Sequence, residues 1–163
     1  MKFKNVISRS FSTAQVARLT GLTPRQLDHW DRLGFLKPTL QRASGYGSTR
    51  RYSFEDVVRL RVAARLRAAG VGLARLRRCE EALRRLGGVA GELGGVRLLV
   101  ADSTVLWARS DQEIVDLVKE GQLVLAFSLE DAVEETAGAV ARLSRESARN
   151  AVNRQERRGK QNF

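Results

Sequence analysis

The chain of 163 residues contains little of what most catalytic or metal sites need, with one cysteine, one histidine and two prolines. A single cysteine, Cys79, cannot form an internal disulfide or supply a cysteine-rich metal site. A single histidine, His29, leaves serine or cysteine triads without most of their possible bases. No apolar run approaches the roughly 18 residues of a membrane helix, and no apolar segment typical of a secretory signal follows the basic start. We therefore expect a cytoplasmic protein with no disulfide, no metal, no cofactor and no enzymatic activity.

Basic residues outnumber acidic ones by 29 to 18, which gives a formal net charge of +11. The excess is uneven, because residues 1–87 carry +13, residues 88–143 carry −6 and residues 144–163 carry +4. A basic first half joined to an acidic unit is typical of a polyanion-binding module that carries a second module. A basic surface that is simply solvated is the alternative at this stage.

Two short helices are predicted close to the N-terminus. Ser12 with Gln15, and Thr23 with Gln26, each have the spacing of a capping box at a helix start. Gly21 lies between the two helices, where a left-handed C-terminal cap is expected. Two short helices separated by such a turn predict a helix-turn-helix.

A two-stranded wing is predicted to follow. Gly34 ends the second helix, and Phe35–Pro38 is predicted as a short strand. Residues 39–49 contain two glycines and several hydroxyl side chains, which predicts a flexible loop. Arg50–Tyr52 is predicted to return as the second strand.

A long helix is predicted from the cap Ser53 to about Gly70, and a shorter helix follows it. One face of the shorter helix is apolar and is predicted to form a dimer interface through Leu73, Leu76, Cys79, Leu83 and Leu86. This stripe covers only about 14 residues, near the length below which isolated helices are marginal. We therefore expect the acidic C-terminal unit to add to the dimer interface or to pack over it.

Five glycines within residues 87–95 indicate a linker. After it, two apolar runs flank Asp102–Ser103, which predicts a hairpin, and Ser110 is predicted to begin a helix. Leu123–Phe127 is predicted as a buried strand, and Ser128 as the cap of a last helix. The order of elements is then ββαβα.

The predicted fold class is mainly α with small β. It divides the chain into a winged helix-turn-helix DNA-binding domain at 1–70, a dimerisation helix at 71–87, a glycine-rich linker at 88–95, a small α/β C-terminal domain at 96–143 and a basic flexible tail at 144–163.

Two long runs of the first half resemble the MerR family of bacterial transcription regulators. They are STAQVARLTGLTPRQLDHWDRLGFLKP and RRYSFEDVVRLRVAARLRAAGVGLARL, and the resemblance as a whole covers residues 11 to about 86. The core VDLVKEGQLVLAF is similar to a small C-terminal unit of short actinobacterial-type members. The resemblance implies a homodimer on double-stranded DNA, with the second helix in the major groove and the wing against the backbone. It also implies promoter distortion that lets RNA polymerase engage, and a location at the nucleoid.

The resemblance assigns Arg25, Gln26 and Arg32 to the recognition helix and Arg50 to the wing. Residues near the start of such a helix reach base edges, whereas basic residues of the wing hold phosphates. The predicted DNA-binding residues are Thr23, Arg25, Gln26, His29, Arg32, Lys37, Tyr46, Arg50 and Arg51.

Departures from the family pattern bear on the roles of three residues. Asp28 replaces a basic DNA contact, so it either accepts a hydrogen bond from a cytosine amino group or pairs with Arg25 or Arg32. His29 replaces a tyrosine that contacts phosphate, and it retains a donor for that contact. Tyr46 is either a DNA contact or only a loop aromatic, because the wing has gained residues.

The sequence therefore predicts a sequence-specific, homodimeric transcription regulator that recognises two inverted half-sites and distorts promoter DNA. Two alternatives remain open. One is an antitoxin-like autoregulator whose C-terminal domain binds a partner protein, and the other is a nucleoid-associated protein with little sequence preference.

Overall fold

The computed structural model describes residues 8–42, 49–85, 97–101, 104–108 and 125–160. The described part is mostly helical, with a two-stranded sheet in the first half and a three-stranded sheet in the second. Its elements in chain order are β1 (Phe11–Ser12), α1 (Thr13–Thr20), α2 (Pro24–Arg32), β2 (Arg51–Tyr52), α3 (Phe54–Ala68), α4 (Leu73–Arg85), β3 (Arg97–Ala101), β4 (Thr104–Ala108), β5 (Leu125–Ser128) and α5 (Leu129–Lys160).

The first three helices begin at the predicted N-caps. At the start of α1, the Ser12 hydroxyl accepts from the Gln15 N–H at 3.3 Å, and the Gln15 side chain accepts from the Ser12 N–H at 2.9 Å. Ser53 and Asp56 make the same reciprocal pair of bonds at the start of α3. Each box satisfies two N–H groups that lack partners within their helix.

A glycine closely follows the end of each of the first three helices. Gly21, Gly34 and Gly70 have φ values of 74°, 70° and 88°, a left-handed conformation that costs a residue with a Cβ atom far more than it costs glycine. After α3, the Gly70 N–H donates to the Arg67 carbonyl and the Val71 N–H to the Leu66 carbonyl, both at 3.0 Å. This is the Schellman arrangement, and it turns the chain sharply towards α4.

The predicted strand at Phe35–Pro38 is wrong, because this apolar segment completes the cap of α2. The Phe35 N–H donates to the Trp30 carbonyl at 3.0 Å, and the Gly34 N–H donates to the Asp31 carbonyl at 2.9 Å. The Trp30 and Phe35 rings pack edge to face with centroids 5.2 Å apart. Phe35 therefore points into the core as the apolar partner of a Schellman cap.

The small sheet pairs the start of the helix-turn-helix with the strand that follows the loop. In β1 and β2, Phe11 lies opposite Tyr52 and Ser12 opposite Arg51 in antiparallel register. Gln41 forms a bridge to Arg51, with reciprocal backbone bonds of 3.1 and 2.9 Å. The last residue paired with β2 before the loop is therefore Gln41. Arg50 lies just before β2 and not within it.

Helix α3 lies at the centre of the core. Val57, Val58 and Leu60 are at most 1% exposed. Next to them, the buried guanidinium of Arg59 pairs with Asp56 on its own helix and with Glu80 of α4, the latter at 3.1 Å. This buried ion pair joins α3 to α4.

The expected dimer stripe on α4 is corrected at its start. Leu76 is 1% exposed within its own chain, and Leu73 packs against the same core. These two side chains stabilise the protomer, because the turn at Gly70 folds α4 back onto α3. The side chains of Cys79 and Leu83, and the whole of Leu86, lie outside the described residues.

Helix α5 is 32 residues long and contributes to the same core as the helix-turn-helix. Ala132, Ala137, Val140 and Leu143 are at most 7% exposed, and the helix packs on α3 and α1. The expected flexible tail from Ser144 is corrected, because α5 continues without a break to Lys160. The residues after Ser144 contain no proline or helix-ending glycine before Gly159, so nothing in their sequence stops the helix.

The C-terminal sheet has the strand order β4–β3–β5, with both pairs antiparallel. Ala101 lies opposite Thr104 in antiparallel register, as the predicted hairpin requires, whereas Asp102 and Ser103 lie outside the described residues. The Ser128 hydroxyl accepts from the Asp131 N–H at 2.9 Å, as expected of the cap of the last helix. The helix predicted from Ser110 lies outside the described residues.

Candidate nucleic-acid interface

Helix α2 is sharply two-sided. Leu27 and Trp30 are 1% and 4% exposed and hold the helix against the core. Arg25, His29 and Arg32 are exposed on the opposite side. A helix anchored by one apolar face and carrying cations on the other has the geometry required to enter a groove lined by phosphates.

Arg25 lies in the first turn of α2, two residues after the N-cap Thr23. It is exposed and forms no ion pair within the part of the chain that the structure describes. Its five N–H donors are therefore available to a ligand, and a guanidinium can bind the O6 and N7 atoms of guanine with two parallel hydrogen bonds.

Gln26 is held by its own helix cap. Its amide oxygen accepts from the Thr23 N–H at 2.9 Å and from the Thr23 hydroxyl at 3.0 Å. Bidentate recognition of adenine uses both the oxygen and the nitrogen of an amide. With the oxygen engaged, Gln26 presents only its amide nitrogen to a ligand.

Asp28 pairs with two arginines. Its carboxylate lies 2.8 Å from the guanidinium of Arg32, one turn along the helix, and 2.7 Å from that of Arg50. Of the two alternatives that the sequence left open, the structure has the ion pair, with Arg32 and not with Arg25 as the partner on the helix.

Arg50 is turned inwards rather than towards solvent. Its Nε lies 2.7 Å from the carboxylate of Asp31, and its side chain is 19% exposed. Burial lowers the pKa of Arg50, but the hydrogen bonds to Asp31 and Asp28, together with the attraction of the Asp31 charge, outweigh burial and raise that pKa above its ordinary value. Arg50 is thus fully charged and ties the end of the loop to α2, which is not the position of a free phosphate contact.

Sequence reasoning did not identify Asp31, whose side chain is 9% exposed. A signal was available, because Asp28 and Asp31 are three residues apart and therefore lie on one face of the helix. Two carboxylates on the same face favour cations from outside the helix as well as from within it, and Arg50, just before β2, is within reach.

The remaining predicted residues take no part in the ion pairs that Asp28 and Asp31 form with Arg32 and Arg50. Arg51 is exposed on β2, and Lys37 is half-buried beside Gly34. Arg42, which was not predicted, is exposed at 3.8 Å from Asp31. Tyr46 lies outside the described residues.

No cluster of three or more His, Cys, Asp or Glu side chains in the described ranges could hold a metal ion. Over the same ranges, no helix is both long and apolar enough to span a membrane.

Comparison with known proteins points to one family. Residues 11–83 match the family described as MerR HTH family regulatory protein. An uncharacterised HTH-type transcriptional regulator of Mycobacterium tuberculosis is 35% identical over 133 residues, which cover 82% of this chain and 57% of that relative. A regulator of Mycobacterium bovis has the same identity and coverage. The HTH-type transcriptional regulator SkgA of Caulobacter vibrioides is 42% identical over 50 residues, which cover 31% of this chain and 18% of SkgA. The chain thus spans little more than half the length of the mycobacterial relatives.

Proposed function

Since this chain belongs, through residues 11–83, to the MerR family of HTH regulatory proteins, we propose that it is a homodimeric, sequence-specific regulator. The dimer binds two inverted half-sites and distorts the promoter DNA between them. Each protomer places α2 in a major groove. RNA polymerase is the further partner, and the site of action is the nucleoid.

The observation that carries this proposal is the two-sided character of α2. Its apolar face is fixed by Leu27 and Trp30, so the exposed side cannot rotate away from a bound ligand. That side carries Arg25 in the first turn, where side chains of a groove-bound helix approach base edges. An exposed arginine without an ion pair at this position is suited to recognising guanine.

The described contacts support different roles for the basic residues. Arg25 contacts a base, whereas Arg32 is oriented by its pair with Asp28 and contacts the DNA beside it. His29, Lys37 and Arg51 hold phosphates, because each is at least partly exposed and carries a donor. Thr23 instead orders the start of α2, since its N–H and its hydroxyl both donate to Gln26. Arg50 is a positioning residue that fixes the start of β2 against α2.

The dimer is proposed to form through the part of the molecule beyond Leu76. Since Leu73 and Leu76 belong to the core of their own protomer, a contact between protomers requires the second half of α4, with Cys79, Leu83 and Leu86, together with the C-terminal unit. Two copies related by twofold symmetry would present two α2 helices, which matches an inverted repeat.

Selection of bound sequences from a randomised duplex pool at physiological salt tests the proposal. We expect a motif of two inverted half-sites, and enhanced cleavage at its centre in a footprint where the DNA is distorted. Sedimentation of the complex should give two chains per site. Diffuse binding without a motif would overturn the proposal in favour of a nucleoid-associated protein.

A further inference from the structure

The second half of α5 extends beyond the domain as a basic helix, which we call the basic arm and define as residues 144–160. It contains six lysines and arginines against two glutamates. Every residue from Arg145 to Gln155 is exposed. At 1.5 Å per residue the arm is about 25 Å long, which matches about seven base pairs of duplex.

The arm is held in a defined direction, because the first half of α5 is anchored in the core. Val140 and Leu143 are 1% and 7% exposed at the last buried turns. At the base of the arm, Glu146 pairs with Arg18 of α1 at 2.5 Å, and the Ser144 hydroxyl accepts from Arg9. Buried contacts and polar contacts together fix the register of α5 on α1.

The base of the arm lies close to the sheet that carries Arg51, one of the proposed phosphate contacts. Ser144 and Ser147 line one shallow cavity with Phe11 and Gln15, at the start of α1. Phe11 lies opposite Tyr52 of β2, whose neighbour Arg51 is exposed. The base of the arm therefore lies beside the sheet that supports the wing.

The arm lacks the features of a helix that packs on another protein. Its apolar side chains include Ala148, Ala151 and Val152, and Val152 is 54% exposed. Ala151 and Val152 lie three and four positions after Ala148, but two of the three are alanines and the pattern does not continue, whereas a coiled coil repeats larger apolar residues over several turns. Instead, positions 145, 149, 153 and 157 are Arg, Arg, Asn and Arg, all exposed and each four residues from the next. Such a ladder of donors suits a row of phosphates.

We propose that the basic arm contacts the phosphate backbone of DNA that flanks the recognised site. The inference rests on the proposed function and extends it, because it adds a second, sequence-independent contact to the one made by α2. It enlarges the footprint and raises affinity without changing the preferred motif, since phosphates carry no direct sequence information.

The test uses the full-length chain and two duplexes, one limited to the selected site and the other with ten base pairs added at each end. Wild-type protein should bind the longer duplex about tenfold more tightly, as expected for a few additional phosphate contacts. Arg145→Gln with Arg149→Gln should remove most of this preference and leave affinity for the short duplex unchanged. The slope of log affinity against log salt on the long duplex should fall by about 0.9 for each phosphate that the variant no longer neutralises.

Arg67→Gln with Arg78→Gln is the matched control, because both arginines are exposed on other helices and the change of charge is the same. This control should keep the preference for the longer duplex. An arm variant that also keeps it would overturn the inference while leaving the proposed function intact, whereas a wild-type chain without a motif would overturn both. Loss of transcriptional activity without a change in length preference would assign the arm to an acidic protein partner and also overturn the inference.

Discussion

The Nε atom of Arg50 donates to the Asp31 carboxylate at 2.7 Å, which joins the residue before β2 to the last turn of α2. Both side chains are largely buried, at 19% and 9% exposed. The position of β2 relative to α2 therefore depends on a charged contact that is shielded from water.

Replacing Arg50 by alanine should lower the free energy of unfolding by about 2–3 kcal/mol, less than the cost for a fully buried pair because some solvent reaches the site. The change leaves the Asp31 carboxylate buried without its closest cation. Chemical denaturation measures the effect. Arg51→Ala is the control, since the neighbouring side chain is exposed, and equal losses in the two variants would contradict the assigned role of Arg50.

Alkaline pH should destabilise the protein through Tyr52, which is 1% exposed. Burial raises the pKa of Tyr52, and the nearby charge of Arg50 offsets this only in part. The folded state thus holds the phenol proton more tightly than the unfolded chain, so this contribution is complete below pH about 10 and is lost above it.

The measurement is the free energy of unfolding from pH 8.5 to 11.5 for wild type and Tyr52→Phe. The wild-type value should fall more steeply above pH 10, by up to about 1.4 kcal/mol per pH unit for one proton. Parallel curves for the two proteins would show that Tyr52 does not control alkaline unfolding.

Arg25→Ala should weaken binding to the selected site by about 1–3 kcal/mol and relax the preference at one base position. The reason is that its exposed guanidinium has no other partner in the described residues. Repeating the selection with the variant measures both effects, with Arg67→Ala as the control. A uniform loss on all sequences would instead make Arg25 a phosphate contact.

The substitution Gln26→Glu should preserve the cap of α2 while it weakens DNA binding. A carboxylate can accept the same two bonds from Thr23, and a negative charge at a helix N-terminus stabilises by about 0.3–1 kcal/mol. The free energy of unfolding should therefore be maintained, whereas affinity for DNA should fall through repulsion by phosphates. If the variant binds as tightly as wild type, Gln26 lies away from the DNA.

Leu143→Ala should lower the free energy of unfolding by about 2–4 kcal/mol, because Leu143 is 7% exposed in the core shared with α1 and α3. Val152→Ala on the same helix should change it by less than about 0.5 kcal/mol, since Val152 is 54% exposed. Thermal and chemical unfolding monitored by helix content provide the comparison. A small effect at Leu143 would show that the helix-turn-helix is stable without α5.

Features decided by local chemistry could be predicted from the sequence. The boxes at Ser12, Thr23 and Ser53 each depend on two side chains three residues apart, and their partners lie in the same turn. The hairpin of β3 and β4 depends on a short segment in the same way. Such contacts form wherever the local sequence allows them.

Contacts between distant segments were harder to predict. The docking of Val140 and Leu143 on α1 joins residues more than 120 positions apart, and an apolar stripe does not specify which surface covers it. The segment from Phe35 was mistaken for a strand because two adjacent apolar residues fit either a strand or a helix cap. The partner of Asp31 depended on a loop whose path the sequence does not determine.

Ser128 is both the last residue of β5 and the cap of α5, so the chain has no slack where the C-terminal sheet meets the helix. No loop residue separates the two elements, so a hinge here is confined to the backbone angles of their terminal residues. Further along the chain, the same helix packs against α1 and α3. The C-terminal sheet is thus joined to the helix-turn-helix core by a single continuous helix, with no intervening loop to absorb a displacement.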